Sequence, residues 1–335
     1  MKKRTKLFRI LSIDGGGIRG IIPGQIIVSL EKKIQTRTKR ADARIADYFD
    51  LLAGTSTGGI LTCIYLTPGD DNKPKFSAGD AVQLYLNRGG EIFDISIWQK
   101  LKSAGGLLDE KYNVSDLQNS LKEYFGDLKL NQLLKPCLIP AYEIFAREAK
   151  FFNKMDAKNE MYDFYVRDVA RATSAAPTYF ECARIQSMTG VQYFLVDGGV
   201  FANNPSLCAY AEVRNKLGPK AADMAILSLG TGFVKTPYMY KDAKDWGLLE
   251  WAKPLIDIMM SGVSETVDYQ LRQMFDAVGK PNQYLRINSP LTISNSQMDN
   301  ASEKNLLALK EEGTKIAEQF DKKLDEFVQL LIKSD

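Results

Sequence analysis

Residues 54–59 read "GTSTGG". Ser56 has a glycine two positions away on each side, Gly54 and Gly58, which is the pattern of a sharp turn that carries a nucleophilic serine from a strand into a helix. Such a turn needs glycines because its backbone is strained and neighbouring side chains would collide. The pattern therefore predicts Ser56 as a nucleophile on an elbow formed by Gly54 and Gly58. The alternative is a small-residue turn that only packs a helix against a sheet.

The base that would activate this serine is not the usual one. The chain contains no histidine, although histidine most often takes the proton of a nucleophilic serine. Carboxylates and lysines remain, and no familiar lysine signature lies near Ser56. An aspartate can accept the proton directly, although its ordinary pKa of about 3.9 makes it a weak base at neutral pH. A desolvated site would raise that pKa.

Asp197 is the candidate for this base. It lies in "VDGGVFANNP", residues 196–205, directly after an apolar run that predicts a strand. We therefore expect Asp197 at a strand end, where the following glycines leave room around its carboxylate. The alternative is an aspartate that only caps the next turn, which is common in Asp-Gly sequences.

A glycine-rich loop, "DGGGIRG" at residues 14–20, lies between a predicted strand and a predicted helix. Backbone N–H groups exposed together in such a loop can hold a phosphate or the oxyanion of an acyl-transfer transition state. The candidate donors are the amides of Gly15, Gly16 and Gly17, and Arg19 would add a fixed positive charge.

The same loop matches the dinucleotide-binding pattern G-x-G-x-x-G through Gly15, Gly17 and Gly20. That fold needs an acidic residue about 20 positions further on, at the tip of a second strand. Asp42 is near that distance, but the surrounding "TKRADARIAD" is charged and is not typical of a strand. An oxidoreductase with a nicotinamide or flavin cofactor is therefore the weaker alternative.

Composition favours one large globular domain. The chain has 335 residues, and its 44 Lys and Arg residues nearly balance 41 Asp and Glu residues, so bulk charge does not indicate a nucleic-acid partner. Its four cysteines lack metal-ligand spacing and are expected to be free thiols in a reducing compartment. No apolar stretch approaches the ~20 residues that span a bilayer, and no signal-peptide pattern is found, so a cytoplasmic location is expected.

Apolar runs predict strands at 7–13, 48–53, 137–145, 191–197 and 224–230. Helical patterns alternate with them, which predicts a layered α/β fold. Residues 285–300 are predicted as a loop, and the polar, leucine-spaced segment from Asn300 onward as one long amphipathic helix. We expect a catalytic domain over 1–295, with its motifs within 7–235, and a C-terminal helical extension over 296–335 packed on the same domain.

Two segments have the composition of a lipid-contacting surface. Residues 92–108, "IFDISIWQKLKSAGGLL", mix apolar residues such as Trp98 with lysines, which suits contact with headgroups, a mobile lid or ordinary loop packing. Residues 245–262, "DWGLLEWAKPLIDIMMSG", have apolar residues at helical spacing, which more often indicates a core. Basic clusters at 2–6 and 32–40 could contact anionic headgroups or a phosphate ligand.

The order and spacing of "DGGGIRG", "GTSTG" and "DGG" resemble those of the patatin-like phospholipases, and "ARATSAAPTYF" and "FANNP" also resemble segments of that family. The resemblance covers roughly residues 7–235. It implies a three-layer α/β/α fold around a mixed, mainly parallel sheet. It also implies hydrolysis of fatty-acyl esters in membrane glycerophospholipids, without a catalytic calcium or any other cofactor.

The resemblance also assigns roles to residues of this chain. It implies a Ser–Asp dyad in which Ser56 is the nucleophile and Asp197 its base, so the missing histidine is expected. It implies that the amides of Gly15, Gly16 and Gly17 form the oxyanion hole, with Arg19 nearby.

The opening "FRILSIDGGGIRGIIPGQII" and the helical end are similar, more narrowly, to bacterial patatin-like effectors of CBASS antiphage systems. This resemblance implies activation by a cyclic dinucleotide such as cyclic GMP-AMP, and degradation of the cell's own membrane from its inner face. A homo-oligomer on activation is a further expectation. The candidate sensor region is 236–335. The alternative is a constitutive patatin-like lipase or lysophospholipase without nucleotide control.

Overall fold

The computed structural model describes residues 7–93, 114–177 and 179–332. The predicted lipid-contacting segment 92–108 falls mostly outside these residues, since positions 94–108 are not among them. The basic cluster at 2–6 also lies outside the described residues.

Eight strands in the described residues form one sheet. They are β1 (Phe8–Ile13), β2 (Leu51–Gly54), β3 (Cys137–Glu143), β4 (Glu148–Asn153), β5 (Ala183–Gln186), β6 (Gln192–Asp197), β7 (Met224–Leu229) and β8 (Tyr284–Ile287). Their order is β5-β6-β3-β2-β1-β7-β8, and β4 pairs with β3 outside this path. From β3 to β8 the neighbours are parallel, whereas β4 and β6 run antiparallel to β3, and β5 antiparallel to β6. The sheet is therefore mixed and mainly parallel.

The α-helices of the described residues alternate with these strands. They are α1 (Ile21–Thr38), α2 (Ile45–Tyr48), α3 (Thr57–Leu66), α4 (Ala78–Phe93), α5 (Val114–Phe125), α6 (Val166–Thr173), α7 (Gly199–Ala202), α8 (Ser206–Leu217), α9 (Tyr240–Ala243), α10 (Leu248–Ala277), α11 (Glu303–Gln319) and α12 (Asp321–Ile332). Short 3₁₀ helices lie at Gly17–Gly20, Leu130–Gln132, Glu160–Tyr162, Ala221–Asp223 and Pro281–Gln283.

Helices cover both faces of the sheet because the strands bury apolar side chains on both. Ile10 of β1 packs in a core to which α8 contributes Val213 and α10 contributes Phe275. The next residue, Leu11, lies in a larger core on the other face, together with side chains of α1, α3, α4, α11 and α12. This arrangement confirms the predicted three-layer α/β/α fold.

The register of the strands brings several loops to one edge of the sheet. Ile13, the last residue of β1, pairs with Gly54 of β2 and with Leu229 of β7. The glycine loop, the elbow and the loop after β7 therefore start side by side. Strand β6 pairs with the part of β3 that extends past β2, and places Asp197 opposite Ala141. An antiparallel strand thus brings Asp197 to the edge at which the parallel strands place the elbow.

Four of the five predicted strands are confirmed to within two residues. The prediction at 48–53 is wrong in its first half, because Tyr48 ends α2 and the Asp50 carboxylate accepts a hydrogen bond from the backbone N–H of Arg9. The sequence patterns did not predict β4, β5 or β8. In β5 buried and exposed residues alternate over four residues, which is too short a run to stand out.

The C-terminal region also differs from its prediction. Residues 285–300 are not all loop, since β8 occupies their start. The single helix predicted from Asn300 onward is wrong: it is divided into α11 and α12 at Phe320, whose φ of −100° and ψ of 13° are not helical. Both helices bury apolar side chains in the larger core, such as Leu309 and Leu324. The division into a domain over 1–295 and an extension over 296–335 stays a prediction.

Candidate active site

Ser56 lies between β2 and α3 in a strained backbone conformation, with φ of 54° and ψ of −123°. A positive φ is unfavourable for any residue with a Cβ. The glycines on each side are required by close backbone contacts. A Cβ on Gly54 would lie 2.0 Å from the carbonyl oxygen of Gly58, and a Cβ on Gly58 would lie 2.2 Å from that of Ile13. This is the geometry that a nucleophile elbow requires.

Hydrogen bonds from outside the elbow hold it in place. The Ser56 N–H donates to the Thr173 hydroxyl oxygen at 3.0 Å, and that hydroxyl donates to the carbonyl of Pro140 at 2.6 Å. The Thr55 hydroxyl donates to the carbonyl of Ala202 at 2.6 Å. The role of Thr173 is not predictable from the sequence, because its partners Ser56 and Pro140 are distant in sequence.

Asp197 ends β6, and its side chain and Ser56 line the same cavity. Its side chain is buried, and Oδ1 accepts a hydrogen bond from the Gly199 N–H at 2.7 Å. Burial raises the pKa of Asp197 to about 6, against the hydrogen bonds of the Ser56 hydroxyl and the Gly199 N–H, which lower it. Asp197 is therefore a stronger base than an ordinary aspartate, yet it stays ionised at neutral pH.

The three glycines of the loop after β1 have different roles. The Gly15 N–H donates to the carbonyl of Asn203 at 3.1 Å and is therefore engaged within the fold. Within the described part of the chain, the N–H groups of Gly16 and Gly17 have no such acceptor, and both residues line the cavity beside Ser56. The geometry thus narrows the candidate oxyanion donors to these two amides.

Neighbouring loops leave no room for side chains on the two candidate donors. A Cβ on Gly16 would lie 2.3 Å from the hydroxyl oxygen of Thr231. Gly17 has φ of 58°, and a Cβ there would lie 2.3 Å from the carbonyl oxygen of Met298. The loops after β7 and β8 therefore pack closely against the glycine loop.

Arg19 supports the glycine loop instead of facing the reacting groups. Its Nε donates to the carbonyl of Gly16 at 3.4 Å and its guanidinium to the carbonyl of Gly232 at 3.5 Å. Burial lowers the pKa of Arg19. The Arg19 side chain lines a second, polar cavity next to the cavity that Ser56 and Asp197 line.

The cavity that Ser56 and Asp197 line has a volume of about 180 Å³. Ser56, Asp197, Gly16 and Gly17 are among the residues that line it. The rest of its described lining is mainly apolar and includes Ala176, Pro177, Tyr179, Phe180, Val200, Ile256, Met259, Met260 and Met298. An apolar cavity with few polar groups suits an acyl chain whose ester lies at the polar end.

A buried ion pair fixes the start of the glycine loop. The two carboxylate oxygens of Asp14 accept hydrogen bonds of 2.8 and 2.6 Å from the guanidinium of Arg286 in β8, which also donates to the Ser228 hydroxyl at 2.9 Å. Both charged side chains are buried. Burial raises the pKa of Asp14, and the Arg286 charge opposes that rise. Arg286 was not among the predicted site residues, although an arginine inside the apolar run "YLRI" indicates a buried charged partner.

The C-terminal helices reach the site through the loop after β8. The carbonyl of Met298 accepts a hydrogen bond of 2.9 Å from the N–H of Ile18, in the glycine loop. The same loop is held by Glu312 of α11, whose carboxylate accepts the N–H groups of residues 292–294 at 2.7 to 3.1 Å. Burial raises the pKa of Glu312, but these hydrogen bonds outweigh it and lower the pKa. Glu312 thus supports the loop that supports the candidate oxyanion donors.

Other candidate features lie away from the site. Asp42, the acidic residue weighed for a dinucleotide site, is exposed in a turn and pairs with Arg40, so it is not at a strand tip. Among the described residues, no cluster of three or more Cys, Asp or Glu side chains could hold a metal ion. No helix in the same residues has the length and apolar character to cross a bilayer.

Comparison with known proteins decides the family. The model of the patatin-like phospholipase family matches residues 11–209. The chain belongs to the patatin-like phospholipase family. It is 35% identical over 334 residues to patatin-like protein 2 of Oryza sativa subsp. indica, with 91% of this chain and 82% of the relative covered. It is 34% identical over 357 residues to patatin group J-1 of Solanum tuberosum, with 97% and 90% covered.

Membership of this family, with these patatin relatives, identifies the chain as a lipid acyl hydrolase. The dinucleotide-dependent oxidoreductase is therefore set aside. The solved structure of VipD from Legionella pneumophila covers 96% of this patatin-like chain and 67% of its own, with 12% identity and a TM-score of 0.39, and nothing is inferred from it.

Replacement of Asp197 by asparagine is expected to stabilise the fold at neutral pH. The folded-state pKa of Asp197 is raised from 3.8 to about 6, so stability is highest below the lower value and is lost as the pH rises to the upper one, by about 3 kcal/mol in total. Asparagine stays neutral and can still accept the Gly199 N–H. Urea unfolding should give Asp197→Asn the higher free energy of unfolding at pH 7.5, with less than half of that gain at pH 4.5. A variant less stable than the wild type at pH 7.5 would contradict a desolvated carboxylate.

Proposed function

We propose that this patatin-like chain hydrolyses fatty-acyl esters of membrane glycerophospholipids with a dyad of Ser56 and Asp197. The observation that carries the proposal is the shared cavity, in which a strained serine faces a buried aspartate of raised pKa. The free amides of Gly16 and Gly17 in the same cavity, and the mainly apolar character of the rest of its lining, support an acyl ester as the substrate.

The proposed first step forms an acyl-enzyme. The Ser56 oxygen attacks the ester carbonyl carbon while the Asp197 carboxylate takes the serine proton. The carbonyl oxygen becomes an oxyanion that accepts hydrogen bonds from Gly16 and Gly17. When the intermediate collapses, the bond from carbon to the alcohol oxygen breaks, and Asp197 returns its proton to the departing lysophospholipid.

Water completes the proposed cycle. A water molecule gives a proton to Asp197 and attacks the acyl carbon, which forms a second oxyanion at the same amides. Collapse releases the fatty acid, and Ser56 regains a proton from Asp197. The carboxylate is ionised at the start of each step, so one residue serves as base and then as acid without a histidine.

The pKa of the base determines how much of the acceleration Asp197 can provide and how much must come from the oxyanion donors. At about 6, Asp197 is roughly two units more basic than an aspartate in water. A general base contributes about 10²- to 10⁴-fold, and each oxyanion donor about 10²- to 10³-fold. In this scheme the two amides of Gly16 and Gly17 together therefore provide at least as much of the acceleration as the general base does.

The dyad predicts a single-limbed pH profile on a soluble ester such as p-nitrophenyl butyrate. Since Asp197 must be ionised, kcat/KM should fall about tenfold per pH unit below a midpoint near 6 and reach a plateau above it. Ser56→Ala should abolish turnover. Ser174→Ala is the matched control, because Ser174 is a second serine that lines the same cavity and is not part of the elbow sequence. A midpoint near 4, or activity that survives Ser56→Ala and not Ser174→Ala, would contradict the dyad.

We further propose that a cyclic dinucleotide activates the enzyme, as an antiphage effector that degrades the cell's own membrane from its cytoplasmic side and forms a homo-oligomer when active. The supporting observation is the polar cavity beside the catalytic one, with a volume of about 480 Å³. Its described lining includes the cations Arg19, Arg272, Arg286 and Lys323 and the acids Asp14, Asp257, Glu265 and Asp268.

This second cavity has the position of a control site. It shares Met260 and Met298 with the catalytic cavity, so a ligand there would touch the catalytic wall. Two of its cations, Arg272 and Arg286, are already in ion pairs. A ligand phosphate would therefore be met chiefly by Arg19 and Lys323.

Fatty-acid release from phospholipid vesicles, with and without a mixture of cyclic dinucleotides, tests this control. We expect release only with the nucleotides, and loss of the activation in Lys323→Ala, because that cation would hold a phosphate. Lys315→Ala is the matched control, since Lys315 is exposed and pairs only along its own helix. Equal release without nucleotides would leave the alternative, a constitutive patatin-like lipase or lysophospholipase.

A further inference from the structure

Helix α10 has two halves with different surroundings. In its second half, Val267, Leu271 and Phe275 are buried in the core between the helices and the sheet. In its first half, apolar side chains face solvent, and Leu248 is 93% exposed and Leu255 49%. We call these exposed apolar residues of the first half the α10 ridge: Leu248, Trp251, Leu255, Ile258 and Met259.

The ridge is a continuous feature, not a scatter of single residues. Its members are spaced three, four, three and one positions apart, which places them on one face of a helix. The preceding segment adds Tyr238, Met239 and Tyr240, also exposed. Of the 20 large hydrophobic residues exposed in the described part of the chain, nine lie within 234–259. Single exposed hydrophobic residues are ordinary, but a concentration of this kind marks a surface that contacts something apolar.

The ridge is continuous with the catalytic cavity. Ile256, Met259 and Met260 of the same helix line the cavity that holds Ser56. Met259 belongs to both surfaces, because its side chain is half exposed and also lines the cavity. An apolar phase placed on the ridge would therefore adjoin the apolar wall that leads to the serine.

The charge of this segment indicates how it would bind. Residues 234–259 contain four lysines and four acidic residues, so their formal charges cancel. Attraction to an anionic surface is therefore not available, and the apolar side chains must provide the binding free energy. Aromatic rings next to the ridge, Trp246 packed 5.0 Å from Trp251 and 5.5 Å from Tyr238, have the apolar body and polar edge that suit headgroup depth.

We propose that the α10 ridge is the surface by which this enzyme inserts into a phospholipid bilayer, and that it delivers an acyl chain along Met259 into the cavity. This inference rests on the proposed lipid substrate. It selects a bilayer over a protein because the ridge leads directly into the substrate cavity, and it predicts binding to zwitterionic vesicles that salt does not weaken. Of the two interpretations of 245–262, a lipid-contacting surface or a core, the proposal takes the first for the first half of α10.

Flotation with phosphatidylcholine vesicles tests the ridge separately from catalysis. All proteins carry Ser56→Ala, so the vesicles stay intact. The ridge variant combines Leu248→Ser, Leu255→Ser and Ile258→Ser, none of which lines the cavity. The matched control combines Leu217→Ser, Val278→Ser and Leu307→Ser, three exposed apolar residues elsewhere. We expect the control to bind like the parent, at low and high salt, and the ridge variant to bind on the order of 100-fold more weakly.

The same substitutions with Ser56 intact complete the test. With the mixture of cyclic dinucleotides present in every sample, the ridge variant should keep the wild-type kcat/KM on p-nitrophenyl butyrate and lose hydrolysis of the vesicles. The proposal would be overturned if the ridge variant binds vesicles as well as its parent does. It would also be overturned if the ridge variant loses activity on the soluble ester together with hydrolysis of the vesicles. The proposal would also be overturned if the wild type forms dimers in ultracentrifugation and fails to float, while the ridge variant is monomeric. The ridge would then be an interface between copies of this chain. Flotation that depends on the ridge, with no ester hydrolysis by the wild type, would support the surface and contradict the dyad.

Discussion

The desolvation of one carboxylate is the constraint on which the rest of the site depends. Asp197 is buried at the end of β6, and burial raises its pKa to about 6. In water an aspartate is too weak a base for a serine, whereas a fully apolar burial would keep it protonated at neutral pH. Hydrogen bonds from Ser56 and Gly199 lower the pKa that burial raises, so the pKa of Asp197 lies between these limits. The mixed sheet provides this environment, since its parallel part carries the elbow and its antiparallel part brings the aspartate to it.

The part of the chain after the family match is integral to the site. The family model ends at residue 209, yet Arg286 holds Asp14 at the start of the glycine loop, and Met298 holds Ile18 within it. Helix α11 supports Met298's loop through Glu312. Helix α10 lines the cavity of Ser56 with Ile256, Met259 and Met260 and exposes the ridge to solvent. The proposed catalysis, the proposed control and the proposed bilayer surface thus meet at one end of the sheet.

The sequence predicted the features that are encoded locally. The strands that end at Ile13 and Asp197, and the turn at Ser56, were predictable because an apolar run followed by glycines identifies a strand end. The ion pair of Asp14 with Arg286 and the role of Glu312 were not, because their partners lie far apart in sequence. The engaged amide of Gly15 was also beyond sequence patterns, which cannot tell which of three adjacent N–H groups is already bonded. The exposure of the α10 ridge could not be predicted either, since helical spacing indicates an apolar face but not what covers it.

The most direct test of the account is the rate at which a fluorophosphonate labels the protein, with the adduct located by mass spectrometry. The probe reacts with activated serines and needs no lipid or bilayer, and the mixture of cyclic dinucleotides is present in every sample. We predict one adduct, on Ser56, with a labelling rate that falls as the pH drops through about 6, and that is lower on the order of 100-fold in Asp197→Asn. An adduct on another residue, or labelling of Ser56 at the wild-type rate in Asp197→Asn, would contradict a serine activated by Asp197.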